Sequence, residues 1–269
     1  ESLHRLPLII ILFWLLGLII SYLLNLDPNY MQLDDILSRP SLDAFFGRDD
    51  YGRSILIRLI EGFKNSTEII IVVSIISCTF GVLIGTISGF LGGRFDQVVS
   101  FVINLFMSFP GILLAIAFAA MLSPGKYNLI LALSIGGWVG YARLSRGQTL
   151  LVKNYDFVKA SRTMGASGWW VIGRHILPSL TTPLLVEATY ALAGLIIAEA
   201  SLSFLGLGLQ APEASWGAMM RDSVRYLLVS PHYAIFVGIS IMSIVYCINA
   251  AGDYLHGYWN IKSDQNVSS

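Results

Sequence analysis

Charge is scarce in this 269-residue chain: Asp, Glu, Lys and Arg make up 13% of it, against roughly 25% in ordinary soluble domains. Seventeen basic residues offset seventeen acidic ones, so neither a nucleic-acid partner nor a disordered acidic tail is indicated. Cysteine is nearly absent. Cys78 and Cys247 sit in apolar runs without a CxxC or Cys/His pattern, which points to core filling rather than a disulfide framework or metal site. The histidines His4, His175, His232 and His256 are scattered and form no His-Glu-x-x-His, so no metal ligand set is expected. A phosphate-binding Gly-x-x-x-x-Gly-Lys-Ser/Thr loop is missing as well. The Gly125-Lys126 pair is followed by Tyr127 and has Ala120 where the first glycine belongs, so this chain is not expected to hydrolyse ATP, and no catalytic residue is assigned.

What is present is apolar: 55% of the residues are hydrophobic. A membrane-spanning helix needs about 20 mostly apolar residues, because its backbone must satisfy its own hydrogen bonds in hydrocarbon. Such runs occur at Leu6–Leu24, Ile69–Leu91, Val98–Leu122, Leu129–Leu144, Leu184–Leu205 and Ala234–Ala251. The expected fold class is therefore all-α, a polytopic membrane protein with six transmembrane helices and both termini on one side. Ser21–Asn25 offers no A-x-A cleavage site, so the first run reads as an anchor rather than a cleaved signal peptide. Pro110 interrupts the third run and is expected to kink it.

Gly81, Gly85 and Gly89 recur every four residues and leave one helix face bare, a surface on which another membrane helix packs closely. Glu187 and Glu199 fall within or at the ends of the fifth run. A carboxyl there costs about 2.5–3.5 kcal/mol on insertion scales and should face a bundle interior, a partner or a wet cavity. Residues 25–66 form a long polar stretch, Gly92–Asp96 a tight turn, and 207–233 an amphipathic stretch with Trp216, Arg221 and Arg225. Residues 145–179 are basic, with Arg146, Lys153, Lys159, Arg162 and Arg174 against Asp156. Lysine and arginine divide almost evenly between the two sides, so charge sets the orientation only through this dense cluster, which favours the cytoplasm.

Within the basic stretch, Phe157, Ala160 or Ser161, and Met164 follow the rhythm of a short helix with one apolar face, and Gly165 is placed to end it. Trp169-Trp170-Val171-Ile172 begins a second apolar piece, from which Pro178 is expected to break away. From these residues alone, the short helix can dock in a partner's groove or lie on anionic lipid. Gly165-Ala166-Ser167-Gly168 matches the Gly-x-Ser-Gly string of rhomboid-type intramembrane proteases. Those need the serine buried in the membrane, whereas Ser167 lies among arginines.

Lys159-Ala160-Ser161, three residues, Gly165, nine residues, then His175-Ile176-Leu177-Pro178 resembles the EAA loop of ABC importer permeases. Lys159 stands for the glutamate, Ser161 for the second alanine and His175 for the usual isoleucine, while Ala160, Gly165, Leu177 and Pro178 fit. Phe46–Leu59 resembles the GTDxxGRDxxSRL stretch of the peptide/nickel permease family. Glu199-Ala200-Ser201-Leu202-Ser203-Phe204-Leu205-Gly206-Leu207-Gly208-Leu209, followed by Pro212 and Ser215-Trp216-Gly217, looks specific to the same family. Ser108-Phe109-Pro110 and Gly252-Asp253 also fit, whereas Leu255–Trp259 lacks the usual ending.

The resemblance implies the shorter, C-type permease of an ABC importer for dipeptides, oligopeptides or nickel and other metal chelates, with an ABC importer type I permease fold, in a bacterial inner membrane. It further implies a homologous second permease, two cytoplasmic ABC ATPases, and an extracytoplasmic solute-binding protein as partners besides the lipid bilayer. ATP and Mg would bind the ATPases and no cofactor this chain. Segments follow as 1–24 (amino-terminal end and first helix), 25–66 (extracytoplasmic), 67–253 (five-helix core with cytoplasmic coupling loop 145–179) and 254–269 (tail). ATPase coupling falls to Phe157, Lys159, Ala160, Ser161, Met164, Gly165, Leu177 and Pro178. Glu199, Ser203 and Pro110 are pathway or gate candidates, and the regions around Asp49–Arg53 and Trp216–Arg225 candidates for external docking. A secondary transporter, which often shows two repeated halves, and a scaffold subunit are the other readings.

Overall fold

A computed structural model describes residues 6–267 of the backbone, and side chains through residue 255 together with 257. His4 and Arg5, the outermost part of the expected segment 1–24, and most side chains of the expected tail 254–269 lie outside the described residues. The elements are α1 (Leu6–Leu23), α2 (Ile55–Leu91), α3 (Gly93–Met107), α4 (Gly111–Met121), α5 (Lys126–Val152), α6 (Asp156–Thr163), α7 (Gly168–Val171), α8 (Leu177–Phe204), α9 (Trp216–Val224) and α10 (Pro231–Val267).

Among the described residues, four helices are long and apolar enough to cross a membrane: Leu6–Leu23, Ile55–Leu91, Gly168–Phe204 and Pro231–Leu255. Gly93–Met107 and Gly111–Met121 pass together as a fifth, bent by 88° where Pro110 follows Ser108 and Phe109. α5 contains the expected fourth run but also Lys126, Arg143 and Arg146, so it does not join this set on composition. The count is compatible with six crossings.

Three boundaries differ from the sequence reading. The stretch 25–66 is irregular only as far as Ser54, because α2 begins at Ile55 and carries Arg58, Glu61, Lys64 and Asn65 on helical turns. Polar side chains do not stop a helix when their backbone groups stay paired. The expected turn Gly92–Asp96 is confined to Gly92 and Gly93, both at positive φ, and Arg94–Asp96 already belong to α3. Nor does Pro178 break away. The backbone widens to a π-turn at Ile172–Ile176, where Leu177 N–H donates to Ile172 O, and the helix then runs on as α8. The wider turn accommodates a ring that would otherwise collide with the preceding coil.

The chain forms two compact units. One comprises Glu1–Val72, Ile116–Ala132 and Leu192–Ala251. Its core centres on Trp14, Phe63 and Trp216, with ring centroids 5.4 Å (Trp14–Phe63), 5.1 Å (Trp14–Trp216) and 5.9 Å (Phe63–Trp216) apart. Ile55, Leu59, Met219 and Val237 surround them. Within a membrane-spanning bundle such a cluster holds through close van der Waals packing rather than removal from water. Trp216 Nε1–H donates to Leu59 O at 2.9 Å, so α9 is pinned to α2 by packing and a polar bond together. Beside this core, Asp49 accepts from the backbone N–H groups of Tyr51 and Arg53 and from Arg53 Nε at 2.7 Å, with Arg58 Nε 3.5 Å away. Arg58 Nη1 also donates to Asn29 Oδ1 at 3.0 Å and reaches the carbonyl of Pro212.

The other unit comprises Val73–Ala115, Leu133–Ala191 and Gly252–Ser269. Here α2 lies against α5 with almost no space between backbones. A Cβ on Gly81, Gly85 or Gly89 would collide with the carbonyl oxygen of Trp138, Ala142 or Arg146 respectively. Both series ascend in steps of four, so the helices run parallel, and the chain between them must return to its starting level. The glycine-lined face expected from sequence is thus filled from within the chain.

Candidate functional site

α6 is a short helix set by its ends. Asp156 in its first turn and Arg162 in its last complement the helix dipole. Beyond Thr163, Gly165 takes φ 92°, its N–H donates to Arg162 O, and Ala166 N–H donates to Ser161 O. This pair of bonds is a Schellman ending, which requires positive φ at the residue that Gly165 supplies. Ser167 then caps α7 by accepting from Trp170 N–H at 3.3 Å. The hydroxyl that matched a protease string therefore starts a helix.

One side of α6 is buried. Val158 and Ser161 are buried, and Val158 packs in a cluster with Val152, Val171, Ile172, Ile176 and Leu180. The opposite side carries Phe157 (51% exposed) and Met164 (81%), with Lys159 and Ala160 also exposed. The expected face of Phe157, Ala160, Ser161 and Met164 is thus split: Ser161 turns inward and the other three point away from the unit's own core. Val158, which shares the buried stripe with Ser161 at a spacing of three, went unassigned in the sequence reading. Its signal was the aliphatic side chain three positions before a small residue.

The aromatic rings continue across the surface. Tyr155 lies 5.7 Å from Phe157, Phe157 5.4 Å from His175, and His175 5.2 Å from Trp170, the last two pairs edge-on. Trp169 is 72% exposed beside them. A cavity of about 370 Å³ opens between Ser161, Met164, Gly165, Ala166, Ser167 and Trp170. Leu177 and Pro178 lie exposed at the start of α8. The sequence-assigned residues therefore gather on α6, the turn at Gly165 and the start of α8, with Ser161 buried and the others exposed.

The pathway candidates are elsewhere. Glu199 is 1% exposed and accepts from Ser66 Oγ at 3.1 Å and from Ser203 Oγ at 2.8 Å, joining α2 to α8. Pro110 is exposed at the α3–α4 bend. Asp49, Arg53 and Trp216 are buried, so the two external docking regions expected from sequence fold over their own unit with those side chains.

With this geometry in place, comparison with known proteins decides the family. Residues 81–258 match the family described as binding-protein-dependent transport system inner membrane component. The chain belongs to that family. This permease is 38% identical over 245 residues to a probable D,D-dipeptide transport system permease protein of Escherichia coli K12, covering 91% of this chain and 82% of the relative. It is 37% identical over 259 residues to a glutathione transport system permease protein of Pectobacterium atrosepticum, covering 94% and 83%. A dipeptide transport system permease protein of Bacillus subtilis is 37% identical over 217 residues, covering 80% and 68%. Among solved structures, a chain of the MetNI methionine ABC transporter in an inward-facing conformation shares the fold, with TM-score 0.61 and 21% identity over 73% of this permease and 94% of that chain. The permease is thus an inner-membrane component of a binding-protein-dependent transport system. The family match spans α6, the π-turn, Glu199, Ser203 and Pro110.

Proposed function

We propose that this permease forms half of the translocation pathway of an ATP-driven importer for small peptides, and that α6 is its contact with the ATPases. The single observation carrying the second part is the exposed Phe157–Ala160–Met164 face on a helix whose other side is locked into its own core. A short amphipathic helix held rigidly from behind is suited to fill a partner's groove. Peptides are chosen over nickel and other metal chelates because the similar permeases are named for dipeptide and glutathione transport.

In this reading a homologous second permease completes the pathway, two ATPases bind ATP and Mg, and an extracytoplasmic binding protein delivers the peptide. Residues 145–179 face the cytoplasm and 25–66 and 207–233 the outside. Lys159, Leu177 and Pro178 border the docking face, and Gly165 fixes the turn beside it. ATP binding draws the ATPases together and moves the docked helices, switching packed interfaces between discrete arrangements. Pro110 at the bend is the gate candidate the geometry leaves most accessible, while Glu199 and Ser203 act as an inter-helix tie near the pathway.

Gly165→Asp, or a bulky residue at Ala160, tests the reading. Each should leave the protein inserted while ATPase stimulation by loaded binding protein is lost. Full stimulation in both variants would refute the assignment.

A further inference from the structure

We propose that His175 is a positioning residue that carries displacement of α6 into the membrane helix, through a hydrogen bond to Ser161; the proposal rests on the reading of α6 as the ATPase contact. Ser161 Oγ lies 2.9 Å from Phe157 O and 3.1 Å from His175 Nε2. A serine hydroxyl has one proton, and the bond to the Phe157 carbonyl uses it. His175 must then donate its Nε2–H to Ser161 Oγ, which fixes the imidazole tautomer. The ring is also held edge-on by Phe157 on α6 and by Trp170 on α7. Its backbone belongs to the π-turn Ile172–Ile176, from which α8 runs on to Phe204. A push on the exposed face of α6 therefore reaches α8 by two routes: the apolar contact of Val158 and the directional bond from His175.

Two departures from the EAA-like loop meet in this bond. Ser161 stands where the loop has its second alanine, and His175 where it has isoleucine. In this chain the two positions meet in a polar contact, and either change alone strands a partner. Ser161→Ala leaves a partly buried imidazole N–H without its acceptor, and His175→Ile leaves Ser161 Oγ without its donor. The double change makes the contact wholly apolar. This makes a cycle in which the pair is rescued although both single variants are impaired.

The test uses the complete complex of permeases, ATPases and binding protein in proteoliposomes, with peptide imported per ATP hydrolysed as the readout. Ser161→Ala and His175→Ile should each lower that ratio about three- to tenfold, the weight of one hydrogen bond, with ATPases still bound. Ser161→Ala/His175→Ile should recover to within about twofold of the parent, and His175→Gln, which keeps an N–H near Nε2, should recover in part. Single variants with an unchanged ratio, or a double variant as poor as the product of the singles, overturn the proposal. ATPases failing to co-purify with the unsubstituted permease would overturn the α6 reading itself, and this linkage with it.

Discussion

Arg146 grips Asp96 with both arms of its guanidinium, Nε to Oδ1 at 2.6 Å and Nη2 to Oδ2 at 2.8 Å. Ser88 Oγ donates to the same Oδ1 at 2.7 Å, and Lys153 Nζ donates to Gly89 O at 2.6 Å. Three helices, α2, α3 and α5, are thus fastened where the glycine-lined contact ends. Because the pair is bidentate and partly shielded, Arg146→Ala should cost about 2–3 kcal/mol. Thermal unfolding of the purified permease measures this, and a shift no larger than that of an exposed lysine variant would contradict it.

The parallel contact of α2 and α5 depends on Gly85, where any Cβ would strike the Ala142 carbonyl. Gly85→Ala should force the helices apart and reduce stability by about 1–3 kcal/mol, and Gly85→Leu should block assembly of this unit. Disulfide trapping between cysteines introduced on the two helices reports the separation. Equal trapping in parent and Gly85→Leu chains would show that the contact is loose.

Neighbouring aspartates should respond oppositely to neutralisation. Asp49→Asn removes the buried partner of Arg53 and Arg58, a loss of about 3 kcal/mol or more. Asp50 is pushed above the usual carboxylate range by burial, and further by Asp49 and Asp222. A raised folded-state value means that stability from its protonated form is complete below about pH 3.9 and is lost as pH climbs through the folded value. Asp50→Asn should therefore stabilise relative to the parent at pH 7 and lose that advantage near pH 4. Unfolding temperatures at both pH values check the sign.

Trp216 joins packing to a polar bond. Trp216→Phe should cost about 1 kcal/mol through the lost Nε1–H bond to Leu59 O, and Trp216→Ala about 3–5 kcal/mol through the cavity it leaves. The fluorescence of Trp14, whose ring centroid lies 5.1 Å away, should change in both variants. Identical unfolding for Phe and Ala would deny the packing role.

Much of the helical framework was legible in the sequence because apolar length and glycine spacing are local signals. The bend at Pro110 and the end of α6 at Gly165 follow from backbone limits that any sequence context must respect. Pro178 misled because its effect depends on the preceding turn: a π-turn removes the clash, and nothing in Ile172–Ile176 announces one. The start of α2 was placed too late because Arg58 and Asn65 look like loop residues until their partners, Asp49 and the Ala214 carbonyl, are known from distant parts of the chain. The apolar rhythm of α6 was read correctly as a helix, but rhythm alone does not say which side is buried. The rhythm groups Ser161 with Phe157 and Met164, whereas the fold buries it together with Val158 and sets it 3.1 Å from His175, fourteen residues away.

The most direct test of the account places a single cysteine at Met164, in a permease whose Cys78 and Cys247 are replaced by alanine, within the complete complex. A short bifunctional reagent should join this position to an ATPase subunit, with the yield changing between ATP-bound and nucleotide-free states. A position that is never joined to an ATPase, and that a membrane-impermeant thiol reagent labels from outside the cell, would contradict it.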